Sequence, residues 1–408
     1  MIKYVPYSGH DRKCTNFQNP ERPPSVNYVK TGPAGPKNAA IARLLNLILY
    51  FYCNYNHKTD MYNNKPSLSR LAALMCAVFL SMAGSSAAAA SPQSTTGIPA
   101  KKYYSVFVDD KNTKWFLTEK GIVSLSGEKW ILHNENSRIG TENLRDFAFG
   151  KSGATSEFWV VSQNGASVTS LPFTSESDVK TYVGDNASMI SSNVAKVAFG
   201  SGPLRWFATD KGVAAFSGDK WLSLTYEDTY PFAMFQDYPI TAIAPSPSGD
   251  TLYAATDGAG IARVYKNDVD AISGASVYAQ WGPIILPSDR VFSVYIAPDG
   301  TKWFGTDQGA ASHTGNNTLE NWTVYTTAEG LPDNFVQAIT SDSKGNIWLG
   351  TKGGISVFDG KAWTSYTTSN GLNSNNILCL TTDREGVVWI GTDEGVCSFS
   401  GGKFTQYR

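Results

Sequence analysis

The residues able to do chemistry are few and scattered. After residue 90 the chain has two histidines, His133 and His313. They fall at different places in different repeats, so no histidine cluster with metal-ligand spacing can be drawn. Neither comes with a Gly-x-Ser-x-Gly elbow, which leaves a Ser-His-Asp nucleophile without support. The turns Asp342 to Gly345 and Asp383 to Gly386 each offer one carboxylate, where a calcium loop needs several oxygen ligands at alternating positions. They read as hairpin turns. Cys379 and Cys397 are separated by a whole strand, roughly 9 to 10 Å, beyond the reach of a disulfide, so two buried thiols are expected. On this inventory no catalytic residue, no metal ligand and no cofactor is assigned.

What remains is the chemistry of recognition. Segments between repeats carry Asn143 and Arg145, Asn193, Gln236 to Pro239, Asp289 and Arg290, Asp333 and Asn334, and Asn375 and Asn376. Planar amides, a guanidinium fork and the rings of Phe235 and Tyr238 suit a sugar or a peptide, which offers hydroxyls or amides beside apolar faces. The candidate ligand-binding set is Arg145, Asn193, Phe235, Tyr238, Asp289, Arg290, Asn334 and Asn375. Asn334 and Asn375 occupy equivalent positions, and local amide bonding to pin the same turn in each repeat is the competing role for both. The segment TYEDTYPFAMFQDYP, 225–239, has no counterpart elsewhere in the chain and is the first choice for a specific contact.

The elements that must position these residues are set by a repeat. From Tyr103 onward an alternating apolar segment leads to a turn with Asp and Gly. A Trp-led strand, Thr-x-x-Gly, a short strand, a Gly turn and a final aromatic strand follow. VQAITSDSKGNIWLGTKGGISVFDGKAWTSYT, 336–367, is the clearest copy, and the next, 377–408, completes the sequence. The Trp-x-x-Thr-x-x-Gly signal recurs at Trp115, Trp206 and Trp303, with degenerate copies at Trp159 and Tyr253, which makes seven. Anchors at 115, 159, 206, 253, 303, 348 and 389 keep a period close to that of four-stranded propeller blades. Every one of the 11 Trp lies in this region, in the second or fourth strand of a copy in nearly every case, where burial between blades is the default role. The expected fold is all-β: a seven-bladed β-propeller of four-stranded antiparallel blades. Its blades span approximately 101–136, 143–183, 193–230, 239–283, 290–328, 335–369 and 376–408. Since the first copy opens on an innermost strand and the last closes on an outermost one, whole blades should follow one another with no strand borrowed across the seam.

At IWLGTKGGISVFDG and VWIGTDEGVCSFSG, with the linkers YTTAEGLPDNFVQAI and YTTSNGLNSNNILCL, the sequence resembles the two-component regulator propeller repeat. That resemblance implies the periplasmic sensor half of bacterial hybrid histidine kinases, where two seven-bladed rings are common and extracellular ligands such as glycan fragments are detected. One ring is expected here, without a kinase or DNA-binding segment of its own. What carries over is the fold and an expectation of recognition. The shortage of histidine also weakens a likeness to streptogramin-lyase propellers, which rely on histidine for elimination chemistry.

The first hundred residues differ in kind. From Met61 a stretch holding Lys65 and Arg70 leads into the apolar run LAALMCAVFLSM, then GSSAAAA, the three parts of a secretory signal peptide over 61–90. The run would cover about 18 Å as a helix, short of the roughly 30 Å a bilayer demands. Residues 1–60 are expected to be a gene-start error or disordered, 91–100 a linker, and 101–408 the ring. Residues 1–90 hold 10 of the 34 basic and three of the 35 acidic residues, leaving 24 and 32, a net charge of −8. That balance argues against nucleic acid and against an anionic membrane surface as partner. The expected protein is a periplasmic, cell-surface or secreted ring without its own output domain. It would bind a glycan or a protein, such as a separate signalling chain. An envelope-assembly scaffold and a lyase or hydrolase using carboxylates are the alternatives.

Overall fold

The computed structural model describes residues 93–407 apart from 96–99, 134–142, 153–154, 172–177, 185–188, 201–203, 219, 226–237, 250, 268–270, 280–284 and 316–319. The leader at 61–90 and the segment before it lie outside the described residues.

Seven antiparallel sheets of sequential strands form the ring. The sixth blade shows the pattern: Val336–Ser341 innermost, then Ile347–Thr351, Ile355–Phe358 and Trp363–Tyr366 at the outside. The innermost strands of the seven blades are Tyr103–Val108, Leu144–Ser152, Val194–Phe199, Ile240–Pro245, Val291–Ile296, Val336–Ser341 and Ile377–Thr382. Second strands such as Lys302–Thr306 and Ile347–Thr351 are buried at every residue because a neighbouring blade covers each face. The fourth strand Trp363–Tyr366 has no fully buried residue. The one helical turn among the described residues with an assigned range, Thr368–Asn370, is a capped 3-10 turn in a linker. No helix among the described residues is long and apolar enough to cross a membrane.

Each recurring feature of the repeat has a bond behind it. In Thr-x-x-Gly the Thr351 hydroxyl donates to the Gly354 carbonyl at 2.8 Å and accepts from the Gly353 amide at 3.1 Å, closing the turn between second and third strands. Gly354 has φ +135°, and a Cβ there would lie 2.3 Å from the Tyr366 carbonyl oxygen of the outer strand, so the position admits only glycine. The same threonine bond recurs at Thr118, Thr209, Thr256, Thr306 and Thr392. The Asp turn between first and second strands is a hairpin. Asp342 Oδ1 accepts from the Lys344 and Asn346 amides, and its Oδ2 accepts from Trp348 Nε1 at 3.1 Å. Asp109 and Asp383 hold Trp115 and Trp389 in the same way. One carboxylate thereby fixes both the turn and the ring that anchors the inter-blade core.

The first and seventh sheets meet as whole blades. Within the stretch expected as linker, Gln93–Thr95 forms a further edge strand on the outside of the first blade, paired antiparallel with Lys129–His133. The correction is local. An outermost strand leaves one row of backbone groups unpaired, and any extended segment beside it can satisfy them.

Candidate functional site

Antiparallel pairing places the start of each innermost strand beside the linker that delivers it and beside the turn between second and third strands. These elements share one face of the ring. Every innermost strand carries a β-bulge at its second residue, breaking register after Tyr103, Leu144, Val194, Ile240, Val291, Val336 and Ile377. Four of the bulge residues, Tyr104, Phe292, Gln337 and Leu378, line the mouth of a central cavity of about 340 Å³. Below the mouth the third and fourth residues of all seven strands form its wall. The third layer is small or polar and includes Asp146 and Lys196, whereas the fourth is Val, Ile, Leu or Phe in every blade, from Val106 to Leu380. Bulges re-aim side chains, which is how a strand whose edge faces the channel puts a ring or an amide into its mouth.

Side chains also close the edges that face the channel. Ser293 Oγ donates to the Val336 carbonyl at 3.4 Å, Gln337 Nε2 to the Ile377 carbonyl at 3.0 Å, and Cys379 Sγ to the Tyr103 carbonyl at 3.2 Å across the seam. Asp146 accepts from Ser105 Oγ at 3.1 Å and from the Val197 amide at 3.3 Å, joining three blades with one carboxylate.

Around the mouth the turn between second and third strands carries an acid in five blades, and each acid braces the linker beside it. Glu119 accepts from the Lys101 and Lys102 amides, and Asp210 from Ser191 Oγ and, at 3.1 Å, Asn193 Nδ2. Asp393 accepts from Asn376 Nδ2 at 2.9 Å. Burial would raise the Asp393 pKa, but hydrogen bonds from Ser374 and Asn376 hold it below the usual carboxylate range. Arg290 spans two such acids, Asp257 at 2.6 Å and Asp307 at 3.2 Å. Its side-chain hydrogen bond to Asp257 and that carboxylate's charge raise a pKa that is already high.

Two blades depart from the pattern, blade two with Gln163 at this turn and blade six with Lys352. Lys352 stands where the acid would be, and its Nζ lies 3.6 Å from the centroid of the Phe335 ring, which replaces the bracing side chain. Phe335 and Phe292 pack with centroids 4.7 Å apart and planes 31° apart, and the Arg290 guanidinium lies 5.4 Å from the Phe292 ring. Two half-buried rings flanked by two cations therefore form one lip of the mouth. Phe292, Phe335, Lys352 and Gln337 were not singled out by sequence reasoning. The available signal was the departure of Lys352 from an acid at the same position in five other copies.

Of the sequence-derived candidates, Tyr238, Asp289 and Arg290 come together beside this lip. The Tyr238 ring packs against Gly258, where a Cβ would lie 2.7 Å from it, and the Asp289 carbonyl accepts from the Gly258 and Gly260 amides. Arg145 and Asn193 meet each other between blades two and three, Arg145 Nη1 donating to Asn193 Oδ1 at 2.8 Å. Asn334 and Asn375 pin equivalent linkers in the same way, their Oδ1 atoms accepting from the Thr327 and Thr368 amides, each at 2.8 Å. Phe235 and most of the 225–239 segment lie outside the described residues. His133 and His313 are buried in blades one and five, His133 against Ser124 and the Trp115 ring, His313 against Tyr278 and the Trp322 ring. Burial lowers the His133 pKa to about 4 and raises both thiols, Cys379 and Cys397, to about 12, and both cysteines are free. Among the described residues no group of three or more His, Cys, Asp or Glu is placed to hold a metal ion.

Seven four-stranded blades in sequence around a lined channel define the class: a seven-bladed β-propeller. Residues 330–353 and 371–394 match the family described as two component regulator propeller. It is similar in structure to the extracellular domain of BT4673 from B. thetaiotaomicron, at TM-score 0.56 and 17% identity over 78% of this chain. The chain spans about 40% of the length of that domain. It is also similar to streptogramin B lyase (TM-score 0.55, 15% identity, 79% of this chain and 100% of that one) and to YCF48 bound to D1 peptide (TM-score 0.51, 13% identity, 78% and 96%). At these identities the likeness is one of fold. No curated protein matches the chain.

Proposed function

We propose that this propeller is an exported, sensor-like recognition module that binds its ligand at the channel mouth, on the lip formed by blades five and six. The observation that carries the reading is the break in the brace. In the five blades with an acid at this turn the acid bonds a linker, while at blade six a cation and two aromatic rings stand in place of that bonded pair beside a cavity of ligand size. Departures from a repeat that has no structural need to depart are where a rigid ring acquires a site. An aromatic pair beside amides and cations suits a saccharide, whose hydroxyls and apolar ring face call for both. The repeat family, whose propellers serve in two-component regulators, agrees with a sensing role and with an extracytoplasmic location.

A protein partner is the second reading. The large hydrophobic side chains exposed among the described residues, Tyr104 at 44% and Tyr238 at 40%, both belong to this face. Thermal-shift measurements on the purified chain against oligosaccharide and peptide panels separate the two, since a ligand that binds only the folded ring raises Tm by mass action. A shift with one glycan class that disappears in Phe335→Ala supports the lip. A shift that survives both Phe335→Ala and Phe292→Ala places recognition elsewhere, and shifts with peptides alone favour the protein partner.

A further inference from the structure

We infer that the cavity below the lip receives an anionic group, a carboxylate or sulfate carried by a saccharide, on the ammonium of Lys196. This rests on the reading of the mouth as a recognition site. Two charged side chains line the cavity, Asp146 and Lys196. Asp146 is 8% exposed and already accepts hydrogen bonds from Ser105 and Val197. Lys196 is half-buried, and among the described residues no carboxylate lies within ion-pair distance of it. The layer beneath is apolar in all seven blades and offers it no acceptor. An ammonium drawn partly out of water without a partner is unfavourable, and an anion entering from the mouth supplies the missing contact.

Among the described residues, two further cations on this face lack a carboxylate partner as well. Arg145 bonds the neutral amide of Asn193, and Lys352 lies over the Phe335 ring. Acids at the rim are each engaged by a linker donor, as Asp257 and Asp307 are by Arg290. A ring whose residues sum to −8 thus keeps cations on this face with no carboxylate at ion-pair distance among the described residues, which composition alone does not produce. The flat Phe292 and Phe335 pair gives a sugar ring a surface to stack on while its acidic substituent reaches down to Lys196.

The test is isothermal titration of the purified full chain with oligogalacturonate, its methyl ester and a sulfated galactan oligomer of equal length, at low and high salt. The expected result is that an anionic oligomer binds at least tenfold tighter than the neutral ester, with an advantage that shrinks as salt rises. Lys196→Met should remove most of that advantage while leaving ester binding unchanged and the ligand-free Tm no lower. Equal affinities for acid and ester, or an acid preference untouched by Lys196→Met, overturn the anion site. If ester binding is nonetheless lost in Phe335→Ala, the lip survives that failure. Absence of binding by both anionic oligomers overturns the inference as well.

Discussion

The ammonium of Lys114 lies 3.0 Å from a carboxylate oxygen of Asp383, joining the first blade to the seventh with side chains that are 13% and 1% exposed. Around it Arg384 Nε donates to the Asp109 carbonyl, the Arg384 amide to Asn112 Oδ1, and Asn112 bonds Glu385. Phe116 meets Trp389, and Trp130 meets Tyr407, edge to face. A ring whose blades do not exchange a strand is held shut by this polar latch and by the aromatic seam.

Removing one member of a buried pair strands its partner, so Lys114→Met should cost about 3 kcal/mol in chemical denaturation. Burial alone would raise the Asp383 pKa, but bonds from Trp389 and Val387 and the Lys114 charge hold it below the usual range. A depressed carboxyl contributes stability that is present above its unfolded pKa, about 3.9, and lost as pH falls through the folded value. Unfolding free energies measured between pH 5 and 2 should fall more steeply for the parent than for Asp383→Asn. Parallel curves would remove the latch from the account.

His133 acts in a different window. Its pKa is about 4 in the fold, lowered by burial, against about 6.5 in an unfolded chain. The unfolded state therefore takes up the proton first. Stability from this group is complete above pH 6.5 and declines by up to about 3 kcal/mol as pH falls towards 4. In His133→Gln, which keeps a polar partner for Ser124, urea midpoints should lose their pH dependence between 6.5 and 4.5.

Gly391 marks the tightest point of the seam. A Cβ there would lie 2.4 Å from Cys379 Sγ and 2.9 Å from the Tyr103 carbonyl oxygen. Gly391→Ala should destabilise by about 1 to 3 kcal/mol through overpacking. Ala at Gly127, with φ +60° and open space around it, should cost about 1 kcal/mol from backbone strain. Thermal melts of the two variants rank them, and a milder effect at Gly391 would mean that the blades can slide apart.

Asn375 and Phe335 should separate structure from recognition. Asn375→Ala removes the acceptor of the Thr368 amide and is expected to cost about 1 kcal/mol of stability with ligand affinity intact. Phe335→Ala is expected to weaken binding at least tenfold while lowering stability only modestly, its ring being half-buried. Titration and denaturation of both variants decide it, and the opposite ranking would exchange their roles.

The sequence by itself determined the ring. Five Trp-x-x-Thr-x-x-Gly signals and two degenerate copies, the Asp and Gly turns and the alternation of apolar residues are local, because each reports a strand or a turn completed within a few residues. The period then counts the blades, and the Thr351 to Gly354 and Asp342 to Trp348 bonds are the local geometry that the spacing encodes. The equivalence of Asn334 and Asn375 was legible for the same reason. Tertiary structure alone decided which residues meet between blades. Asp257 and Asp307 are 50 residues apart and share Arg290, Phe292 reaches Phe335 across a blade boundary, and Lys114 finds Asp383 across the seam. Closing the ring brings residues from one end of the repeat array against the other, so no local window contains both halves of these contacts. The bulge that turns Phe292 and Gln337 into the mouth follows from how each strand bends as the blades pack, and only the closed ring shows which side chains face the channel.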